Sequence, residues 1–228
     1  MKIIKMTMKN KTDYLTMEEI DKMLMYCYNK GKIRDYMLIK ILSRTGRRVC
    51  EVVGRKPYTK VTGLRPCDIR PDGYIEWCIL KKSPIKKKTK SGSKRTKEVM
   101  QELRIKKEPK RILKPIDDYT LSEITSFIEH FKITPHARIF PITDRRVRYI
   151  IAEVGKKCNI VRPNKLIHPH NFRHSFAINY LKINNKNPAA LIHVKDLLDH
   201  SRLEVTTHYL QFTQEDKKKA LNKTFGVD

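Results

Sequence analysis

The chain of 228 residues carries 50 Lys and Arg residues against 24 Asp and Glu residues, a formal net charge of +26 at pH 7. A surplus of this size favours a polyanionic partner, and nucleic acid is the first expectation because neutralising its phosphates releases condensed counterions. No stretch approaches the roughly 18 consecutive apolar residues of a membrane span, and no apolar signal segment is present, so membrane and secreted proteins are disfavoured.

Cysteine usage indicates a reducing compartment. The five cysteines are an odd number and no two form a C-x-x-C pair, so a disulfide framework and a zinc ribbon are both disfavoured. We therefore expect buried thiols in an intracellular protein. The length fits one large domain better than two.

The first part of the chain predicts a basic lead-in, residues 1–15, followed by helices. Thr16 and Glu19 form a capping-box pattern, in which each side chain satisfies a backbone amide of the other residue. The buried face of this helix is expected to contain Ile20, Leu24 and Cys27. A second helix is predicted over 33–43, and the valines that follow Gly46 indicate a further short helix.

A small antiparallel sheet is predicted next. Pro71-Asp72-Gly73 is a turn signal, and Ile75, Trp77 and Ile79 then alternate as in a half-buried strand. Residues 81–97 hold nine Lys or Arg residues and no acid, which is typical of a solvated, mobile loop. Residues 112–116 are expected to form the returning strand.

The remainder of the chain is typical of helices. Start signals occur at Thr120 with Glu123, at Thr143 or Asp144, at Pro169, at Pro188 and at Ser201 with Glu204. The apolar residues expected to face the core are Val147, Ile150, Ile151, Val154, Phe172, Phe176, Tyr180, Leu191, Val194 and Leu198. The fold class predicted is mainly α with a small antiparallel β-sheet.

Arg48 is the first candidate for chemistry. Gly46 permits a tight turn just before it, and Glu51, one helical turn further on, is placed to hold its guanidinium. A lone arginine near a helix start is more often a surface charge.

His170 and Arg173 form the second candidate, because residues three apart share one face of a helix. An imidazole and a guanidinium would then project together from a packed element, although an ordinary polar helix face explains the same pattern. A zinc site of His168, His170 and His174 is disfavoured because no cysteine or acidic ligand is placed to complete a tetrahedron.

The third candidate is His200, followed nine residues later by Tyr209 on a predicted short helix. Taken alone, such a tyrosine is normally a core residue with its hydroxyl at the surface.

The combination resembles the tyrosine recombinase (phage integrase) family. T-G-R-R-V-C-E is similar to its T-G-L-R-x-x-E box, H-P-H-N-F-R-H-S-F-A to its H-x-L-R-H-x-x-A box, and L-L-D-H-S-R-L-E-V-T-T-H-Y to its L-G-H-x-x-x-x-T-x-x-Y box. The resemblance runs from about Thr16 to the end, and it looks closest to the archaeal branch. It implies that residues 16–228 are a recombinase catalytic domain acting on double-stranded DNA.

The resemblance implies specific roles. Arg48 and Arg173 would clamp the non-bridging phosphate oxygens, with Glu51 in support. His170 would assist deprotonation of the nucleophile, and His200 would donate a hydrogen bond to the phosphate. Tyr209 would attack to form a 3′-phosphotyrosine, without metal, ATP or any other cofactor.

The general acid would be a lysine at the end of the second strand. Alternation points Lys81 and Lys82 to opposite faces, so only one of them can reach the phosphate. Lys82 is preferred and Lys81 is the alternative. The basic residues further into this loop that would contact the DNA backbone are Lys86, Lys87, Lys88, Lys90, Lys94 and Arg95.

The sequence also departs from the family pattern. Arg47 stands where leucine is usual, Asp199 stands where glycine is usual, and residues 56–63 look like an insertion. The family usually has a separate N-terminal helical domain, which 15 lead-in residues cannot form. The chain is then either part of a longer protein or a naturally minimal recombinase. The resemblance implies an archaeal or viral source and the cytoplasm of a prokaryotic cell or a virus-infected host.

Two alternatives remain open. A type IB topoisomerase uses the same tyrosine chemistry as a monomer. Residues 211–228 resemble the exchanged C-terminal helix of recombinases, which favours a protein that is monomeric in solution and tetrameric on DNA. The second alternative is a basic nucleic-acid-binding protein without catalytic activity.

Overall fold

The computed structural model describes residues 14–55, 61–79, 109–160, 162, 166–184 and 187–200. Three predicted features lie outside these ranges: Tyr209 with the helix around it, the C-terminal segment 211–228, and the basic loop. The loop residues concerned are Lys81, Lys82, Lys86, Lys87, Lys88, Lys90, Lys94 and Arg95.

The first helices form where the sequence predicts them. They are α1 (Met17–Asn29), α2 (Ile33–Thr45) and α3 (Val49–Val53). The capping box of α1 is confirmed, because Thr16 Oγ1 accepts from the Glu19 amide at 3.3 Å and Glu19 Oε2 accepts from the Thr16 amide at 3.0 Å. Gly46 ends α2 in the left-handed conformation, with φ of 59°.

The sheet is three-stranded and antiparallel, in the order β1-β2-β3. Its strands are β1 (Ile69–Arg70), β2 (Tyr74–Ile79) and β3 (Lys110–Pro115). Residues 71–73 form the predicted turn. Trp77 pairs with Ile112, and the alternating side chains of β2 lie in the core as expected.

Four more helices follow in the described part of the chain. They are α4 (Asp118–His130), α5 (Asp144–Lys157), α6 (Pro169–Ile183) and α7 (Ala190–Leu197). Thr143 caps α5, and Pro169 occupies the first turn of α6, as predicted. Within the described ranges no helix is long and apolar enough to cross a membrane.

Two predicted helix starts are wrong. The N-cap of α4 is Asp117, whose carboxylate accepts from the Thr120 amide at 2.9 Å, so Thr120 lies inside the helix. Glu123 does not close a capping box there, because it binds Lys40 at 2.8 Å in the interior. The helix expected to start at Pro188 begins two residues later, after a turn in which Asn187 Oδ1 accepts from the Ala189 amide.

Helix α2 lies at the centre of the domain. Each of its residues from Met37 to Ser43 is buried, and it packs against α1, α4 and α6. A helical segment that is buried on all sides must be held by its neighbours rather than by one apolar stripe. The C-terminal end of α2 therefore delivers Gly46, Arg47 and Arg48 at a fixed place against α6.

Candidate active site

Arg48 lies at the start of α3, with its side chain 43% exposed. Glu51 is buried and binds it twice: Oε1 accepts from Arg48 Nη1 at 3.0 Å, and Oε2 accepts from the Arg48 backbone amide at 3.1 Å. The contact expected between these residues is present. A buried carboxylate thus fixes a guanidinium whose outer edge is open to solvent, an arrangement suited to binding an anion.

Arg173 occupies a deeper position than the helix pattern predicts. It was expected to project with His170 from a polar face, but it is only 2% exposed, whereas His170 is exposed. Its guanidinium donates to the carbonyl oxygen of Gly46 at 2.9 Å and to that of Leu198. Carbonyls at the ends of two helices attract the cation inward, and this tertiary contact overrides the surface preference.

His200 is the last residue of a complete Schellman motif at the end of α7. The His200 amide donates to Lys195 O at 2.9 Å, and the Asp199 amide donates to Asp196 O at 3.0 Å. Asp199 holds the left-handed position of this motif, with φ of 54°. This geometry requires positive φ and explains why glycine is usual there.

The bonds of Arg173 to Gly46 O and Leu198 O bring the segments of Arg48 and His200 together, and the electrostatics of the two imidazoles agree with this. Burial lowers the pKa of His200 to about 4, and the charges of Arg173, Arg48 and His170 add to the effect. The pKa of His170 is also lowered to about 4, first by loss of solvation and then by His174 and Arg173, although part of the residue reaches the surface. Interactions of this kind require proximity, so residues from three distant segments share one site.

Arg47 is the residue of this site whose environment the sequence did not reveal. It is 2% exposed, lies over the Trp77 ring at 5.7 Å, and donates to the carbonyl oxygen of Leu197. In the sequence it stood out only as a departure from the family motif. A buried arginine between glycine and a second arginine gives no periodic signal, because its burial depends on α7.

The zinc alternative gains no support from the described residues. No group of three His, Cys, Asp or Glu side chains among them is arranged to hold a metal ion. His170 and His174 instead meet edge to face, with ring centroids 4.4 Å apart. The His168 amide donates to Asn171 Oδ1 at 2.8 Å, which caps α6.

A family model described as the phage integrase family matches residues 63–216, about two thirds of the chain. This chain belongs to the phage integrase family. The matched span includes His170, Arg173, His200 and Tyr209, while Arg48 precedes it. The recognition of the family from its three motifs is confirmed.

Curated relatives of this integrase-family chain are bacterial tyrosine recombinases. XerC of Listeria welshimeri is 29% identical over 213 residues, which cover 90% of this chain and 60% of that protein. XerC of Staphylococcus epidermidis (strain RP62A) is 27% identical over 200 residues, covering 84% and 53%. The chain thus spans a little over half the length of these relatives. They give no support to an archaeal or viral affiliation.

Solved structures establish the fold class. The crystal structure of XerA recombinase has a TM-score of 0.60 at 18% identity and covers 94% of this chain and 66% of that one. XerH bound to its difH substrate gives 0.58 at 18% identity, covering 96% and 56%. The Tn1549 transposon integrase in complex with transposon right end DNA gives 0.58 at 18% identity, covering 92% and 65%. The predicted tyrosine recombinase catalytic-domain fold is confirmed.

Proposed function

We propose that this chain contains the catalytic domain, residues 16–228, of a site-specific DNA recombinase that cuts and rejoins DNA through a 3′-phosphotyrosine formed by Tyr209. The observation that carries the proposal is the convergence of Arg48, His170, Arg173 and His200. These residues are distant in the chain, yet the field of Arg48 and Arg173 reaches both imidazoles.

The arginines address the main obstacle to attack on a phosphodiester, which is its negative charge. Arg48 offers solvent-facing N–H donors that a planar pair of phosphate oxygens can accept. Arg173 contributes its positive charge from beneath this surface, because it is buried and donates to the carbonyl oxygens of Gly46 and Leu198. Both charges are in place before DNA arrives, so little reorganisation is needed in the transition state.

The imidazoles supply proton transfer and a hydrogen bond. With its pKa near 4, His170 is neutral at pH 7 and can accept the proton of the Tyr209 hydroxyl. The phenolic oxygen then forms a bond to phosphorus while the bond from phosphorus to the 5′ oxygen breaks. His200 donates to a phosphate oxygen through its N–H. The ester retains the bond energy, so a 5′ hydroxyl can reverse the step.

The leaving 5′ oxygen requires a proton, and we assign its donor to a lysine of the loop after β2. Lys82 is the preferred residue and Lys81 the alternative. The basic residues from Lys86 to Arg95 are assigned to backbone phosphates, where their charge adds affinity without specificity.

The oligomeric state on DNA distinguishes a recombinase from a type IB topoisomerase. We propose that the protein is monomeric in solution and forms a tetramer on DNA by exchange of its C-terminal segment, 211–228. Deletion of that segment should leave strand cleavage by single subunits and abolish recombination between two sites. Relaxation of supercoiled plasmid without recombinant product from the intact protein would favour the type IB topoisomerase instead.

The decisive experiment traps the covalent adduct. Nicked duplexes with a randomised core are incubated with the protein, complexes that survive SDS are recovered, and their DNA is sequenced to define a suicide substrate. We expect wild-type protein to form the adduct with and without EDTA. Tyr209→Phe should bind the same duplex with unchanged Kd and form no adduct.

The other possible results of this experiment would change the proposed function in different ways. An undiminished adduct in Tyr209→Phe would move the nucleophile to another residue. The absence of adducts from every pool, with tight and salt-sensitive DNA binding, would favour the non-catalytic basic protein.

The variants Lys82→Ala and Lys81→Ala identify which lysine is the general acid. A 5′-phosphorothiolate leaving group needs no proton, so it should restore cleavage only in the variant that lacks the general acid.

A further inference from the structure

The C-terminal end of α7 is held by two arginines from different parts of the chain. Arg47, from the turn after α2, donates to Leu197 O, and Arg173, from α6, donates to Leu198 O. The last carbonyls of a helix have no partner within it and carry its negative end, so guanidinium groups stabilise them. Both arginines therefore act on the point where the chain leaves α7 toward His200.

Arg47 is buried in a way that leaves its charge incompletely neutralised. Its Nη1 makes no hydrogen bond within the described part of the chain, and Glu51 Oε2 lies 3.7 Å from it. Burial lowers the pKa of Arg47, and the carboxylates of Glu51 and then Asp199 oppose that effect. A cation kept in such a place costs free energy, so leucine would be the simpler occupant.

The backbone conformation of Asp199 is unfavourable for an aspartate. An L-residue in the left-handed region is strained, although aspartate tolerates it better than most, and glycine adopts it without penalty. The structure brings this residue into the field of Arg47. Arg47 binds the carbonyl oxygen of Leu197, two residues before Asp199, so the two departures from the family motifs, arginine for leucine and aspartate for glycine, both lie at the end of α7.

We propose that Arg47 is a positioning residue for strand cleavage, coupled to Asp199. By holding the end of α7 against the turn that carries Arg48, it sets where His200 stands relative to the phosphate. This inference rests on the proposed function of the site. A purely structural role would predict loss of folding with proportional loss of activity; positioning predicts loss of cleavage in a folded, DNA-bound protein.

The test compares five variants with wild-type protein: Arg47→Leu, Arg47→Lys, Asp199→Gly, the double variant Arg47→Leu/Asp199→Gly, and the control Arg34→Leu. Arg34 is an exposed arginine on α2, the helix that precedes Arg47, so the control matches the loss of charge. Three quantities are measured: the single-turnover cleavage rate on a suicide substrate at saturating DNA, the Kd for that DNA, and the melting temperature.

We expect Arg47→Leu to cleave about 100-fold more slowly, the loss that a displacement of about 1 Å can cause, with Kd within about twofold of wild type. Arg47→Lys should recover part of the rate because it restores the charge. The double variant should cleave about tenfold faster than the product of the two single losses predicts, because cation and counter-charge are removed together. Arg34→Leu should cleave at the wild-type rate.

The proposal is overturned if Arg47→Leu cleaves like wild type, if its rate falls only in step with Kd or the folded fraction, or if the two substitutions are additive. Asp199→Gly relieves backbone strain and keeps the test valid should Arg47→Leu fold poorly. Its cleavage rate should fall although its melting temperature does not.

One readout is independent of catalysis. The titration of the His200 imidazole, followed by NMR, should move from about 4 toward 6.5 in Arg47→Leu, because release of the α7 end resolvates the ring. An unchanged titration would contradict positioning even if wild-type protein formed no adduct. Failure of the proposed function and failure of this inference are therefore distinguished.

Discussion

Arg173 donates a hydrogen bond to the carbonyl oxygen of Gly46 at 2.9 Å, across 127 positions of the chain. The bond joins α6 to the turn that presents Arg48. Arg173, which its sequence motif predicts to bind phosphate, therefore also fixes the turn that carries Arg48. Substitutions at this junction should affect stability and catalysis together, whereas substitutions at its exposed edge should affect catalysis alone.

The turn itself gives the first prediction. A Cβ at Gly46 would lie 2.6 Å from Leu198 Cδ2 and 2.9 Å from Phe176 Cδ1, and the residue has φ of +59°. Gly46→Ala should lose about 1–2 kcal/mol from left-handed strain and a further 1–3 kcal/mol, roughly, from overpacking. Denaturant unfolding measures the sum.

Gly31→Ala is the matched control, because Gly31 has φ of +63° and no atom within 4 Å of the added Cβ. Its loss should be the strain contribution alone, with DNA cleavage unchanged. Equal losses in the two variants would show that Gly46 does not pack against Leu198 as described.

The two arginines should separate in a stability assay. Arg173→Ala removes two buried, charge-assisted hydrogen bonds and should cost about 3 kcal/mol or more of folding free energy. Arg48→Ala removes a half-exposed ion pair and should cost less than about 1 kcal/mol. Both variants should lose cleavage by about 100-fold or more, as expected for loss of a charge-stabilising donor. Equal melting temperatures would contradict the buried position of Arg173.

Local sequence patterns predicted most of the helices and strands, because the ends and faces of these elements depend mainly on neighbouring residues. The capping box at Thr16, the turn at 71–73 and the alternation along β2 each depend on neighbouring residues. The start of α4 shows where prediction from local patterns fails. Asp117 and Thr120 both carry capping signals, and the contact between Glu123 and Lys40, 83 positions away along the chain, decides between them.

The same distinction applies to the site. The contact between Arg48 and Glu51 follows from a spacing of three residues and was predictable. The burial of Arg173 and Arg47 was not, because it results from carbonyls at the end of α7, which no local pattern places nearby. Side chains that act through distant backbone atoms are recognised only in the folded protein.

Glu51 gives a prediction that tests the support of both arginines. Glu51→Gln keeps an acceptor for the Arg48 amide but removes the carboxylate that faces buried Arg47 and holds Arg48 Nη1. We expect a loss of about 3 kcal/mol in stability, as when one partner of a buried pair is removed. Glu18→Gln, an exposed change in the first turn of α1, should cost far less stability than Glu51→Gln. A similar small loss for Glu51→Gln would mean that its charge is not needed.

The last prediction concerns pH. The pKa values of His170 and His200 are lowered to about 4 from the ordinary value of 6.5, so between these values the unfolded chain binds more protons than the folded one. Folding stability should therefore be fully present above pH 6.5 and fall as the pH approaches 4.

The melting temperature of DNA-free protein should drop between pH 7 and pH 5, and the drop should be smaller in His170→Gln/His200→Gln. Imidazole NMR should give these two rings midpoints near 4. Midpoints near 6.5 would show that neither burial nor the cations of the site lower the pKa of these rings.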